Sequence, residues 1–458
     1  MASSGHVVAT TKVGLEAVGV VTALLAPLLG FWLSSSLAAY RNGSVLLSLL
    51  LGLLLFPVAP VTWELIAQWR RRQRATVRPP ILTTVDRLIL RTLAVNVLFV
   101  TLVLAISPRA AFRAIATRGD WALEGHDGAT ANRVRGWLFG VADGLESLYT
   151  RAGGNPYGKS DAPPTTPTFV TDGHWPQVAE RSDSIDTVPA DLEHDFGAVA
   201  RYLVSVEPDD FARVKALHDF VGDRLTYDHA AARREIARPP QDAESVFAAG
   251  TAVCEGYARL LSAMADAAGL EIDYVVGVVH GRAWEWDVDG SGHAWNAAHI
   301  EGAWYLLDPT WDDTDDAYGT DYLFTPPEAF SVTHLPDDAR WQLREEPISL
   351  SDFMRQAITR PSFSAHGLTL RTPTRSQVTV SERIDVVIDN PREVPLLATV
   401  VERDHDEDAQ EGCDVTPGTT TRVTCELAAS RQYALTIFVP THEEDRYAGA
   451  ATLFVNSR

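Results

Sequence analysis

Apolar residues are spread unevenly along this chain, gathering into long unbroken runs near the start and into short periodic stretches further on. The runs Val13–Leu33, Val45–Ile66 and Leu88–Ile106 each approach the length of about 20 residues that crosses a hydrocarbon core, interrupted by few charges such as Glu16, Glu64 and Arg91. Residues 1–107 are therefore predicted to hold three transmembrane helices. A cleaved leader does not fit, because the first run has no basic flank beyond Lys12 and two further runs come after it. Arg70, Arg71, Arg72, Arg74, Arg78 and Arg87 lie between the second and third runs, against Arg41 alone after the first. That asymmetry predicts a cytoplasmic arginine loop, an internal N-terminus and everything after Ser107 outside, although Arg109, Arg113 and Arg118 just past the third run pull the other way.

Beyond the runs the hydrophobic period shortens. Val134, Trp137, Leu138, Val141, Leu145 and Leu148 recur at helical spacing and predict a juxtamembrane helix. The stretch 153–189 is rich in Pro, Gly, Ser and Thr, including Pro163-Pro164-Thr-Thr-Pro167, and reads as an extended linker, so that 108–190 joins the membrane segment to a separate domain. Tyr257, Leu260, Leu261, Met264 and Ala268 repeat at helical spacing with Gly269 as a stop, which predicts a helix over 254–268. Gly292 to Ile300 and Ala303 to Asp308 read as two strands of a hairpin turning at Glu301-Gly302. In that register Ile300 faces Ala303 and Trp295 faces Asp308, so His293 is diagonal to Asp308, at about 7–8 Å between backbones and on the same face. After a connector at 336–364 with a short helical stretch near 350–359, strand patterns recur at Leu368–Leu370, Val378–Val380, Ile384–Ile388, Leu396–Val401, Tyr433–Val439 and Ala450–Val455. They predict an all-β sandwich of Ig-like outline over 365–458, or else a β-extension of the domain before it.

Charge sharpens this division. The first 107 residues carry 9 Lys+Arg and 3 Asp+Glu, which leaves 30 of the 39 basic and 57 of the 60 acidic residues to the other 351. A part so acidic argues against nucleic acid or an anionic membrane surface as partner. Cys413 and Cys425, twelve apart in the strand-rich tail, suit a disulfide on an oxidising side of the membrane or two buried thiols, and in the first case Cys254 is the free cysteine.

Three short strings carry the chemistry: Thr251-Ala-Val-Cys254-Glu-Gly-Tyr257, Gly292-His293-Ala-Trp295-Asn296 and Leu307-Asp308-Pro-Thr-Trp311. Cys254 falls in the first turn of its predicted helix, where unpaired backbone N–H groups and the helix dipole favour a thiolate and could hold an oxyanion. A thiol, an imidazole and a carboxylate in this arrangement make a nucleophile, its base and the group that orients the base. Singly, each has a plainer reading: a small buried cysteine, a structural strand histidine, a turn-forming aspartate before proline. The acidic stretch Asp312, Asp313, Asp315 and Asp316 could offer oxygens to calcium, but without EF-hand spacing it reads as a solvated loop. His280, His299 and His334 show no metal-ligand spacing, and no cofactor is expected.

From about Phe196 to His334 the chain resembles the transglutaminase-like superfamily, most closely its bacterial and kyphoscoliosis-like branch. The resemblance rests on Val253-Cys254-Glu255-Gly256-Tyr257-Ala258, His293-Ala294-Trp295-Asn296, Gly302-Ala303-Trp304-Tyr305 and Asp308-Pro309-Thr310-Trp311-Asp312-Asp313. It implies an α+β, papain-like cysteine enzyme domain over 191–335 within a multi-domain chain. It also implies Cys254 as nucleophile, His293 as base and Asp308 as its orienting group, with Tyr227 and Trp295 lining the site, Tyr227 as an oxyanion donor or else a structural tyrosine. The implied reaction is acyl transfer on amides of protein or cell-envelope peptide, with water (peptidase or amidase) or an amine (cross-linking) as acceptor. The superfamily also includes members that only bind, so a non-catalytic envelope scaffold is the alternative.

Overall fold

The computed structural model describes residues 25–41, 45–73, 82–123, 126, 129–152, 174–177, 179–280, 291–314, 317–403, 410–441 and 446–457. The chain falls into two units, Met1–Tyr157 and Gly158–Arg458.

In the first unit, Leu46–Arg72 and Thr84–Ile106 are helices long and apolar enough to cross a membrane, and Leu25–Tyr40 is a shorter apolar helix. Residues 13–24 of the first expected run lie outside the described residues. The second run breaks at Leu54–Val58, where Phe56 leaves helical geometry and Pro57 has no N–H for the ladder, and the helix resumes at Ala59. Leu46, Leu50, Leu65, Leu90 and Leu98 present apolar side chains that no protein covers. Of the charges noted in the runs, Glu64 and Arg91 are partnered, while Glu16 lies outside the described residues: Glu64 takes Arg71 at 3.0 Å and Arg87 at 3.2 Å and also pairs with Arg91. The expected juxtamembrane helix forms over Ala129–Arg151, after a further helix, Pro108–Arg118. Phe112, Ile115 and Ala142 share an apolar cluster with Leu33, so both helices pack within this unit.

The second unit is built on a five-stranded antiparallel sheet in the order Leu323–Thr325, Ala303–Leu307, Ser291–Ile300, Glu271–Val279, His334–Pro336. The hairpin register is the expected one, with Ile300 opposite Ala303 and Asn296 opposite Leu307. Glu301 (φ 51°) and Gly302 (φ 84°) both turn left-handed, the two-residue turn whose twist matches the strands. Both sheet faces are covered. On one, the helix Cys254–Ala268 buries Tyr257, Leu260, Leu261 and Met264 against Ile272 and Ile300, with the helices Phe196–Val206 and Asp210–Arg224 outside it. On the other, Val275, Val279, Trp295 and Leu306 pack with Tyr322, Phe330 and Trp341.

The expected linker is shorter than 153–189. Asp183–Thr187 forms a 3-10 turn, Ile185 and Val188 pack against the core, and the Ser182 N–H binds Asp219 at 3.0 Å. Residues 153–173 lie outside the described residues. Apolar positions interspersed among the prolines and serines give this segment something to bury, which composition alone did not reveal.

The connector docks through His280, whose Nε2 meets the Phe353 carbonyl at 2.7 Å. Beyond it two sheets share one apolar core, one ordered Ile358–Thr359, Tyr447–Ser457, Gln432–Pro440, Leu397–Glu402, Glu411–Gly412, the other Thr369–Thr372, Arg383–Asp389, Thr420–Glu426, Asp414–Thr416. Cys413 and Cys425 are disulfide-bonded beside the Asp414–Thr424 pair.

Candidate active site

Cys254 opens its helix as expected. Val253 before it is extended and gives its N–H to Gln241 Oε1 at 3.0 Å, and Gly269 closes the far end in left-handed geometry. Gly256 is required two residues on, because a Cβ there would come within 2.6 Å of Ala252 and 2.8 Å of Val246. Tyr227 pairs with Ala252 in the small parallel ladder that leads into Cys254, its ring against those of His229 and Tyr257.

Successive residues of the Ser291–Ile300 strand serve the two sheet faces. Asn296 gives its side-chain amide to the Ala258 carbonyl at 2.9 Å and to Ser262 Oγ at 3.0 Å, pinning the cysteine helix. His293 and Trp295 lie on the other face with stacked rings, Trp295 fully buried. His293 Nε2 donates to Asp308 Oδ2 at 2.6 Å, and the ring also interacts with the half-buried Cys254. Asp308 divides its two oxygens between two tasks. Oδ1 accepts the N–H groups of Thr310 (2.9 Å) and Trp311 (3.3 Å) and so caps the turn Pro309–Asp312, while Oδ2 faces the histidines. The plain reading of Asp308 as a turn former and the functional one are therefore both realised, on different atoms.

The electrostatics follow from burial and these contacts. Burial would raise the Asp308 carboxyl, but the charge of His293 and hydrogen bonds from His293 and His334 hold it well below the usual carboxylate range. Burial alone would lower His293; the Asp308 carboxylate and then Cys254 reverse this and hold the imidazolium up to about 10. For Cys254, burial favours the thiol, yet the His293 charge, its hydrogen bond and one from the Ala294 backbone N–H outweigh it and lower the thiol below its ordinary value. A thiolate–imidazolium pair beside an oriented carboxylate can attack a carbonyl carbon and return the proton to a leaving amine.

Two features of the site escaped the sequence reading. His334, set aside for want of metal spacing, gives Nε2 to the same Asp308 Oδ2 at 3.0 Å. The donors of His293, Asp308 and His334 lie within 4.8 Å of one another, but each ring already spends Nε2 on Asp308, so the group is a hydrogen-bonded network. Second, the first two residues of the acidic stretch, Asp312 and Asp313, are not in a solvated loop. Asp312 is buried, accepts the Tyr322 N–H at 2.9 Å and faces His218 at 3.3 Å, and Asp313 accepts the Tyr257 hydroxyl at 2.8 Å. The Asp308 cap turns this segment inward, and Asp219 and Asp312 raise the buried His218 to about 9 against the effect of burial. Asp315 and Asp316 lie outside the described residues.

The family model of the transglutaminase-like superfamily matches residues 197–309. The chain is 31% identical to the human kyphoscoliosis peptidase and 30% identical to the mouse protein of that name, each over 194 residues. These alignments cover 40% of this chain, which thus spans 29% of the length of each relative. It also overlaps the crystal structure of a TGase at 22% identity over 27% of this chain and 32% of the other, with a TM-score of 0.22, too limited an overlap to bear on the fold. The matched stretch runs from the helices that pack on the cysteine helix to the turn that Asp308 caps, and the domain it forms is a member of the transglutaminase-like superfamily.

Proposed function

We propose that the chain is a membrane-anchored cysteine enzyme that transfers acyl groups from amides outside the cytoplasm, with Cys254 as nucleophile, His293 as base and then acid, and Asp308 as the group that orients His293. The observation that carries this reading is the imidazole of His293 bonded on one side to a carboxylate held by four donors and on the other to a thiol at a helix start. The thiolate adds to the amide carbonyl, the tetrahedral oxyanion draws on backbone N–H groups at the start of the cysteine helix, and His293 protonates the departing nitrogen. The acyl group of the resulting thioester then passes to water or to an amine, whose proton His293 takes as the C–S bond breaks and the Cys254 thiolate is released. The word peptidase in the relatives' name favours water as acceptor and a peptide bond as the amide attacked; protein or cell-envelope peptide is the substrate proposed. Tyr227 and Trp295 border the site, Trp295 as packing behind His293. The apolar helices supply a multi-pass anchor, the arginines of the second connection supply its orientation, and the β-rich tail serves as an accessory sandwich stapled by Cys413–Cys425.

The deciding measurement is alkylation of Cys254 by iodoacetamide across pH in the detergent-solubilised full chain, read by mass spectrometry, with His293→Ala alongside. Rapid alkylation at pH 6 that slows at least about tenfold in the variant is the expected result. An ordinary thiol profile untouched by the substitution would overturn catalysis and leave the scaffold alternative.

A further inference from the structure

Two imidazoles converge on one oxygen of Asp308, and the proposed chemistry uses only the one on Cys254. The second, His334, comes from the edge strand His334–Pro336. His293 pairs with Gly277 and His334 with Val279, on opposite flanks of the strand Glu271–Val279, so the two rings stand on one face with centroids 5.6 Å apart. His334 is fully buried, walled by Trp311, Tyr322 and Phe330. Its bonding to Asp308 fixes one proton: the carboxylate can only accept, so Nε2 carries the hydrogen. In the neutral ring Nδ1 then accepts from the Thr333 hydroxyl 2.8 Å away, which has the Phe330 carbonyl at 3.3 Å as its other acceptor.

We propose that His334 is a positioning residue: as a neutral ring it donates the fourth hydrogen bond to Asp308, so that the carboxylate keeps its place and its share of charge while His293 gives up and regains its proton. This rests on the acyl-transfer reading of Cys254, His293 and Asp308. When His293 protonates a leaving group it gives up its own positive charge, and its bond to the Asp308 carboxylate weakens. The bond from His334 and the two from the backbone do not change at that moment. The carboxylate therefore does not turn away, and the imidazole finds it in the same place for the next proton transfer. The ionisable groups facing the His293–His334 pair are Cys254, Asp308 and the Tyr322 hydroxyl, whose ionisation burial pushes far above neutrality. Burial likewise lowers His334 to about 4, consistent with a ring that stays neutral while its neighbour is charged.

The test is the pH profile of Cys254 alkylation in the detergent-solubilised full chain for wild type, His293→Ala, His334→Phe, His334→Gln and Thr333→Val. Phe fills the space without a donor, Gln restores an N–H near Nε2, and Val removes the hydroxyl that donates to Nδ1. The expected result is that His334→Phe moves the reactive limb toward that of an ordinary thiol and slows alkylation at pH 6 about tenfold or more, that Gln recovers most of the loss, and that Val gives an intermediate shift. A purely structural His334 would lower thermal stability in the Phe variant and leave the limb in place. If wild type is activated and His293→Ala abolishes this while the His334 and Thr333 variants keep the wild-type limb, the positioning role is overturned and the triad stands. If wild type itself titrates as an ordinary thiol, the triad reading falls and this role with it. Should His334→Phe fail to fold, an unshifted limb in Thr333→Val overturns the proposal.

Discussion

Asp308 concentrates more of this site's chemistry than any other single residue among those described. Its two oxygens receive two backbone N–H groups and two ring N–H groups, and all four bonds are strengthened when it is ionised. The two members of the central pair respond to pH in opposite senses. Asp308 is lowered on folding, so its stabilising contribution is complete above the unfolded carboxylate value of about 4 and is lost as pH falls through the lower folded value. His293 is raised to about 10, so its contribution is complete below about 6.5 and is lost as pH rises from there through 10. His218 adds a second loss in the same direction, between about 6.5 and 9. Asp308→Asn, which leaves His293 without its counter-charge, is expected to cost about 3–5 kcal/mol and to flatten the alkaline decline of the melting temperature. Thermal melts at pH 5, 7 and 9 check both; an unchanged slope would mean that His293 is not charged in the folded protein. The local signals for Cys254, His293 and Asp308 were legible because each lies at the edge of an element that its own neighbours specify. His334 carried no such signal, since its neighbours specify only a three-residue strand.

At the level of elements, the hairpin and the cysteine helix were readable to their ends. Glu301-Gly302 sets the turn, the turn sets the register, and the register puts His293 and Asp308 on one face. The edge strand His334–Pro336, beyond Glu271–Val279, is another matter. It approaches at Gly277, where a Cβ would come within 2.2 Å of the Leu335 carbonyl oxygen and 2.7 Å of the Pro336 Cα. Those are backbone atoms, so Gly277→Ala must push the His334–Pro336 strand outward. The expected outcome is a loss of about 1–3 kcal/mol in thermal or denaturant unfolding together with slower Cys254 alkylation at pH 6. If the protein is destabilised but alkylation is unaffected, that strand contributes nothing to the reactivity of Cys254. The acidic stretch after Asp308 was misread for a related reason. Four aspartates in five residues look solvated as composition, whereas Asp312 and Asp313 meet His218 and Tyr257 brought from helices far away in sequence.

At the scale of the whole chain, the proposed anchor and the proposed placement of the acidic remainder outside it can be checked separately. The full chain is expected to stay in the membrane pellet after alkaline carbonate extraction, and a protease added outside intact cells is expected to cleave beyond residue 107 while sparing the arginine-rich connection. Release by carbonate would contradict the anchor, and protection of the acidic part would reverse the orientation. By itself the sequence determined what local spacing can determine: the apolar helices, the helix that begins at Cys254, the hairpin and its register, and hence the relation of His293 to Asp308. Tertiary structure alone decided that His334 joins Asp308, that His218 neutralises Asp219 and Asp312, and that residues 183–188 dock on the core. Period and turn chemistry act over a few residues, where the backbone transmits them directly. A buried hydrogen bond between distant strands leaves no trace in local spacing, because it exists only once packing has excluded water and brought its partners together.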